Sequence, residues 1–278
     1  MPELPEVETI RRVLIKCLQG KRIKQVLVRE PRLRWLVEEY KLNQWVVGQQ
    51  IRDVTRRAKY LLLHTQQDST LILHLGMSGK LLLLTESVPL EKHDHIIFYF
   101  DDSMELRFRD PRRFGIVDAI PAGELDRYPR FIELGPEPLA TITKPEMLFE
   151  KAQSSHRPIK NLLMDSRFIA GLGNIYANEA LYYAGIHPST PANLLKLSDW
   201  QKLLSEIRKV LISAIKQGGT TLNDFVDSDG DAGYFQFSLA VYGREGEPCP
   251  RCHTKIERTV LVGRSTYFCP TCQPKPIT

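Results

Sequence analysis

The chain has 278 residues, 42% hydrophobic and 26% charged, and carries a formal net charge of +5, the balance of a soluble globular protein with room for two ordinary domains. No apolar run approaches the roughly 20 residues that cross a bilayer. MPELPEVETI has neither the basic start nor the apolar core of a secretory signal, so the chain is expected to stay in the cytosol.

Residues 5–19 read as a helix. Pro5 suits the first turn, Glu6 and Glu8 favour the positive end of the helix dipole, and Gly20 ends the run. Ile10, Val13, Leu14, Cys17 and Leu18 share one apolar face, which makes Cys17 a small buried hydrophobe. From about 22 to 120 the pattern changes to short runs rich in branched and aromatic residues: KRIKQVLV, YLLLHT, TLILHLGMSG, KLLLLT, HIIFYF, MELRFR and FGIVDAI. Turn signals such as QQDST and DDSM separate them, and the expected fold is a mostly antiparallel sandwich or barrel. The segment LGPEPLATITKPE reads as a hinge. Helices are expected at 145–153, 158–166, 174–184 and 198–217, the last stopped by Gly218 and Gly219. A Gly- and Asp-rich loop, DSDGDAG at 227–233, precedes a compact cysteine-bearing end.

The basic residues cluster. Arg29, Arg32 and Arg34 form one group, Arg56, Arg57 and Lys59 a second, and Arg107, Arg109, Arg112 and Arg113 a third. One such cluster is ordinarily a solvated face, but three in one half of the chain suggest a groove for a polyanion.

Four of the five cysteines sit in two CPxC knuckles, Cys249/Cys252 and Cys269/Cys272, with sixteen residues between them. This spacing places four thiolates tetrahedrally around one zinc, and the intervening KIERTVLVGRSTYF reads as a hairpin with Arg264 at its tip. A redox dithiol pair or disulfides are the competing readings, and two regular knuckles in a cytosolic chain favour zinc. With no open coordination position the zinc is structural.

At the other end Met1 precedes Pro2, a small residue, so methionine removal is expected to leave a secondary amine. An α-amino group titrates near pH ~8, roughly two units below lysine, and is partly unprotonated at neutral pH. Such an amine can attack carbon and leave an iminium, which acts as an electron sink. Glu3 adjoins it and Glu6 lies one helical turn further on.

PELPEVE, HLGMSG, DPRRFG, GLGNIYANE and the four-cysteine ribbon, in that order from residue 2 to about residue 273, resemble the bacterial formamidopyrimidine-DNA glycosylase family. The resemblance implies an α+β chain. An N-terminal antiparallel β-sandwich would span 1–133, a helix-two-turn-helix domain 134–234 and a zinc finger 235–278. It implies a bifunctional glycosylase and abasic-site lyase of base excision repair, acting as a monomer on damaged double-stranded DNA in the cytoplasm or nucleoid. It would remove oxidised purines and cut the strand by β,δ-elimination. By the same resemblance Pro2 is the nucleophile and Glu3 the proton donor. Lys59 serves β-elimination, and Arg264 serves δ-elimination and DNA contact. Glu6 lies near the lesion, while Met77, Arg112 and Phe114 fill the space that a flipped nucleotide vacates. His93 and Asn174 contact DNA.

Two positions depart from the family pattern. His156, in SSHRPIK, stands where relatives carry a DNA-contacting lysine, and Ser166 replaces the usual amide residue. The nearest alternative is the endonuclease VIII branch, which shares the fold but prefers oxidised pyrimidines. Leu4, Met77 and Phe114 favour the purine branch. A catalytically silent damage sensor would not need Pro2, Glu3 and Lys59 together, and a protein-binding zinc ribbon would not need the basic clusters.

Overall fold

The structure, a computed structural model, describes residues 2–85, 88–218, 225–226 and 239–275. They fall into two compact units. The first runs to Ile132 and takes in the short strand Phe225–Val226. The second starts at Glu133 and takes in the cysteine-bearing end.

The first unit opens with α1 (Leu4–Leu18). There follow β1 (Ile23–Val28), α2 (Glu39–Trp45), β2 (Ile51–Arg57), β3 (Tyr60–Thr65), β4 (Thr70–His74) and β5 (Lys80–Thr85). After these come β6 (Asp94–Phe100), β7 (Met104–Arg109), β8 (Ile116–Ile120) and the single turn α3 (Pro129–Ile132). The second unit holds α4 (Pro145–Ala152), α5 (Ile159–Leu163), α6 (Asn174–Ala184) and α7 (Leu197–Lys216). Phe225–Val226 is β9, in the first unit, and β10 (Glu257–Leu261) and β11 (Arg264–Phe268) form the ribbon hairpin.

Two sheets make the sandwich, in the orders β1-β6-β7-β5-β9 and β2-β3-β4-β8. Every pairing is antiparallel except β5 with β9, which is parallel. The continuous apolar run YLLLHT follows from burial on both faces of β3, because successive side chains alternate across a strand. Leu61 and Leu63 join the main core with Val7, Ile10, Leu14 and Leu18 of α1. Leu62 points the other way, into a second cluster with Ile72, Ile120 and Tyr128. Burying each such leucine contributes about 1.5–3 kcal/mol.

Three elements escape the sequence reading. β2 has the polar pattern IRDVTRR and buries only Ile51 and Val54, α2 buries only Leu42, and α3 is one turn long. The expected helix at 158–166 is shorter, because Asp165 accepts the backbone N–H of Arg167 and turns the chain. The proline-bearing segment read as a hinge is bound into the second unit. Arg208 of α7 donates to the carbonyls of Pro138, Ala140 and Thr143. Cys17 is half-buried at the rim of the core rather than within it. The DSDGDAG loop lies outside the described residues. Among the described residues no helix is long and apolar enough to cross a membrane.

The third basic cluster is corrected in part. Arg107 is buried and pairs with Asp94 at 3.1 Å and with Glu105, and Arg109 reaches Asp94 at 2.6 Å and Glu91 at 2.7 Å. Register explains this, because Asp94 on β6 lies across from Arg109 on β7. These two arginines are taken up by carboxylates of the first unit and do not serve as groove cations. Burial opposes ionisation of Asp94, but Arg109, the Glu91 amide and Arg107 hold its carboxyl below the usual range. Asp94→Ala leaves buried Arg107 with Glu105 as its one carboxylate partner, so urea unfolding should show a loss of about 1.5–3 kcal/mol.

Candidate active site and metal centre

Pro2, Glu3 and Glu6 are fixed by the start of α1. Glu3 is the N-cap residue, in extended conformation. Its carboxylate accepts the Glu6 backbone N–H while the Glu6 carboxylate accepts the Glu3 N–H at 2.9 Å. This reciprocal capping box satisfies two donors that a helix start otherwise leaves open. Leu4 and Val7 anchor the same turn, and both glutamates are buried. Pro2 is therefore held at a buried chain end, where termini ordinarily fray.

Lys59 lies in the two-residue connection between β2 and β3, after Ala58 in the left-handed region at φ 52°. Arg56 joins that turn to α1. Its guanidinium reaches the Glu8 carboxylate at 3.3 Å and donates to the Ala58 carbonyl at 2.7 Å. His74, across from Tyr60 in the sheet, stands beside this turn. Burial first, then the cations Lys59, Arg34 and Arg130, push its imidazole down to about 3. His74 is consequently neutral at pH 7, and its Nδ1 accepts the Gly76 N–H at 3.0 Å. The field that keeps it neutral is cationic, which suits a polyanion.

Met77 follows on the loop between β4 and β5, and Arg112 and Phe114 sit on the loop between β7 and β8. All three side chains are exposed, and the Arg112 guanidinium lies over the Phe114 ring at 4.8 Å. Large exposed apolar side chains on short loops are poor core residues and good wedges. His93 is half-buried in a cleft of about 410 Å³, lined also by Arg29, Lys92, His95 and Arg113.

The second unit carries the remaining candidates. His156 is exposed on the turn before α5, and its neighbour Arg157 is tied to Asp165 at 2.9 Å. Asn174 opens α6, and its Nδ2 donates to the Ser265 carbonyl at 3.0 Å. Lys160 is buried and donates to the same carbonyl at 2.8 Å and to Thr266 Oγ1 at 2.7 Å. Arg264, one residue earlier, stands exposed where the hairpin closes after Val262 and Gly263. Further along α6, Asn178 accepts the Tyr267 N–H at 2.8 Å. Glu179 accepts three consecutive backbone N–H groups, from Ala240, Val241 and Tyr242. The ribbon is thus mounted on one face of α6. The sequence does not single out Lys160 and Glu179, because their partners lie far away along the chain, nor His74, whose surroundings come from burial and from cations on other elements.

The four ribbon sulfurs all lie within 4.8 Å of one another. Cys252–Cys269 is 3.4 Å, Cys252–Cys272 3.5 Å and Cys249–Cys272 3.9 Å. A tetrahedral site with Zn–S near 2.3 Å requires sulfurs about 3.8 Å apart, and a disulfide about 2 Å. The cysteines therefore fit one structural zinc and no disulfide. Backbone N–H groups of Arg251 and Cys272 donate to Cys249 and Cys269 at 3.4 Å each, and Tyr182 Oη lies 3.3 Å from Cys249 Sγ.

Two measurements check these readings. Freshly purified protein should contain about one equivalent of zinc, and Cys269→Ala less than half of that, as read by metal analysis. His74 should also make the fold acid-sensitive. Its imidazole titrates near 6.5 when unfolded, so between that pH and about 3 the unfolded state binds more protons and stability falls as pH falls. Urea midpoints at pH 7 and pH 5 should reveal a loss of at most about 2 kcal/mol from this source, absent in His74→Gln.

Comparison with known proteins agrees with this geometry. Family models match in chain order: the formamidopyrimidine-DNA glycosylase N-terminal domain over residues 1–117, its H2TH domain over 134–226, and the zinc finger found in FPG and IleRS over 246–275. The formamidopyrimidine-DNA glycosylase of Acidithiobacillus ferrooxidans is 46% identical over 273 residues, 98% of this chain and 100% of the relative. That of Magnetococcus marinus is 47% identical over 274 residues, 98% and 99% of the two chains. A crystal structure of Lactococcus lactis Fpg with abasic-site DNA superposes with a TM-score of 0.90 at 38% identity. Its complex with DNA containing N7-benzyl-Fapy-dG gives 0.91 at 38%. Each alignment covers 99% of this chain and 100% of the other. A capped N-terminal Pro-Glu, a lysine turn tied to the same helix and a four-thiolate ribbon, matched from end to end at this identity, make the chain a member of the formamidopyrimidine-DNA glycosylase family.

Proposed function

We propose that this chain is a bifunctional DNA glycosylase and abasic-site lyase of base excision repair. It excises oxidised purines, 8-oxoguanine and formamidopyrimidines, from duplex DNA and then cuts the strand. The observation that carries the reading is the capped start of α1, which holds Pro2 and Glu3 still, with Arg56 tying the Lys59 turn to the same helix. Relatives bearing the glycosylase name at 45–47% identity support the purine branch over the endonuclease VIII type.

In this mechanism Met1 is removed and the Pro2 nitrogen attacks sugar C1′. The C1′–base bond breaks, its electron pair leaves with the base, and Glu3 supplies the proton that departure requires. The C1′–O4′ bond then opens, its electron pair going to O4′, which takes the proton now carried on the Pro2 nitrogen, and the iminium left on C1′ acidifies the C2′ proton. Loss of that proton expels the 3′ phosphate with Lys59 assisting, and δ-elimination, assigned to Arg264, expels the 5′ phosphate. Glu6 keeps Glu3 oriented through the capping box and lies near the lesion. Met77, Arg112 and Phe114 fill the vacated stack, where Arg112 donates to O2 and N3 of the orphaned cytosine. His93, His156 and Asn174 contact the DNA. His156 makes a weaker phosphate contact than the lysine that relatives carry there. The zinc carries no step and holds the ribbon that presents Arg264.

The same reading divides the chain into a catalytic sandwich at 1–133, a helix-two-turn-helix domain at 134–234 and a zinc finger at 235–278. It makes the protein a monomer of the cytoplasm, at the nucleoid when bound to DNA.

Borohydride trapping on 8-oxoguanine duplex tests the chemistry. The wild type should cross-link through Pro2. One extra residue at the N-terminus should abolish trapping and cleavage, because an amide nitrogen has no available lone pair. Glu3→Gln should lose excision yet still nick a preformed abasic site. Full trapping by the extended protein would transfer the nucleophile to Lys59.

A further inference from the structure

The loops that carry Met77 and Arg112–Phe114 are not independent. They meet on Asp110, a carboxylate with no exposed surface. Its Oδ1 accepts the Ser78 hydroxyl at 2.5 Å and its Oδ2 accepts the Gly115 N–H at 2.7 Å. A carboxylate only accepts, so Ser78 has to donate to it, and the lone pairs of Ser78 Oγ then face the Arg112 N–H at 3.2 Å. Bond directions along the chain Asp110–Ser78–Arg112 are thereby forced.

The backbone of Asp110 is fixed as well. Its N–H donates to the His93 carbonyl at 3.1 Å, and its own carbonyl accepts the Arg113 N–H at 3.1 Å and lies 2.9 Å from His95 Nε2. Arg113 takes the left-handed region at φ 57°, which reverses the chain between Arg112 and Phe114. Gly76 packs directly on the Phe114 carbonyl, where any Cβ would overlap. The backbone beside Met77, Arg112 and Phe114 is therefore held, while the three side chains stay exposed.

We propose that Asp110, acting through the Ser78 hydroxyl, is a positioning residue that couples the two loops, so that Met77, Arg112 and Phe114 enter the duplex as one rigid set. This rests on the wedge role given above to those three residues. Ser78→Ala removes the coupling with little loss of volume and leaves Asp110 Oδ1 and the Arg112 N–H without their partner. An arginine reading cytosine through a displaced backbone loses both rate and selectivity, since misplacement by about 1 Å costs up to a hundredfold.

Single-turnover kinetics on three substrates test it: 8-oxoguanine opposite cytosine, 8-oxoguanine opposite adenine, and a preformed abasic site in single-stranded DNA. Ser78→Ala should slow duplex excision by about tenfold or more and narrow the cytosine-to-adenine ratio. Single-stranded abasic cleavage, which needs no wedge, should stay within about twofold, and Ser78→Thr should restore the duplex values. An unchanged rate and ratio in Ser78→Ala overturns the coupling. An equal fall on all three substrates also overturns it, by placing Ser78 in folding or chemistry. The urea midpoint of each variant tells those two apart. Failure of the function itself reads differently, because the wild type would then neither excise 8-oxoguanine nor cut the abasic strand.

Discussion

The nucleophile proposed above is a chain end, which faces a physical difficulty, because ends are the first part of a fold to lose order. Here the difficulty is met within six residues. Glu3 and Glu6 close the capping box, Pro5 fits the first turn where its missing N–H costs nothing, and Leu4 and Val7 drop into apolar surroundings. The rest of α1 is then a long anchor, with Ile10, Leu14 and Leu18 in the core shared by both sheets. A mobile amine would give up the entropic advantage that covalent catalysis draws from a fixed attacking atom. The position of everything else in the first unit matters chemically only because this end is still.

The sheets convert that fixed point into a frame. Lys59, Met77 and Arg112 stand on connections of two, five and six residues whose ends are clamped by ladders. The second unit works by a different device. A hairpin of two five-residue strands buries little of its own and rests on α6 through Asn174 and Asn178, with Lys160 alongside, while Tyr182 meets Cys249 of the first knuckle. Metal and helix together do for the ribbon what a core does for the sandwich.

Much of this was legible in the sequence, for reasons that differ by element. The cysteine spacing was decisive because a tetrahedral thiolate site is a local geometric demand. Helix α7 was legible from the helical spacing of Leu203, Leu204, Ile207, Leu211 and Ile215 and from the glycines that follow it. β2 was not, since five of its seven residues are polar or charged and only two are buried. Arg107 and Arg109 looked like groove cations until strand register set Asp94 against them, and register is a long-range property. The link between Ser78 and Asp110 was hidden for the same reason, its partners being thirty-two positions apart. What the chain does was readable from motifs; how its loops are held was not.

The mounting of the ribbon also bears on how it survives its surroundings. Oxidised purines arise where oxidants are present, and thiolates are oxidised stepwise by the same agents. Cys249 and Cys269 are buried, and Cys249 is shielded further by the Tyr182 hydroxyl beside it. Cys252 and Cys272 are more open. Hydrogen bonds to a coordinated sulfur draw charge from it and blunt its reactivity. Oxidative attack on the centre therefore begins at Cys252 and Cys272, the more exposed of the four sulfurs.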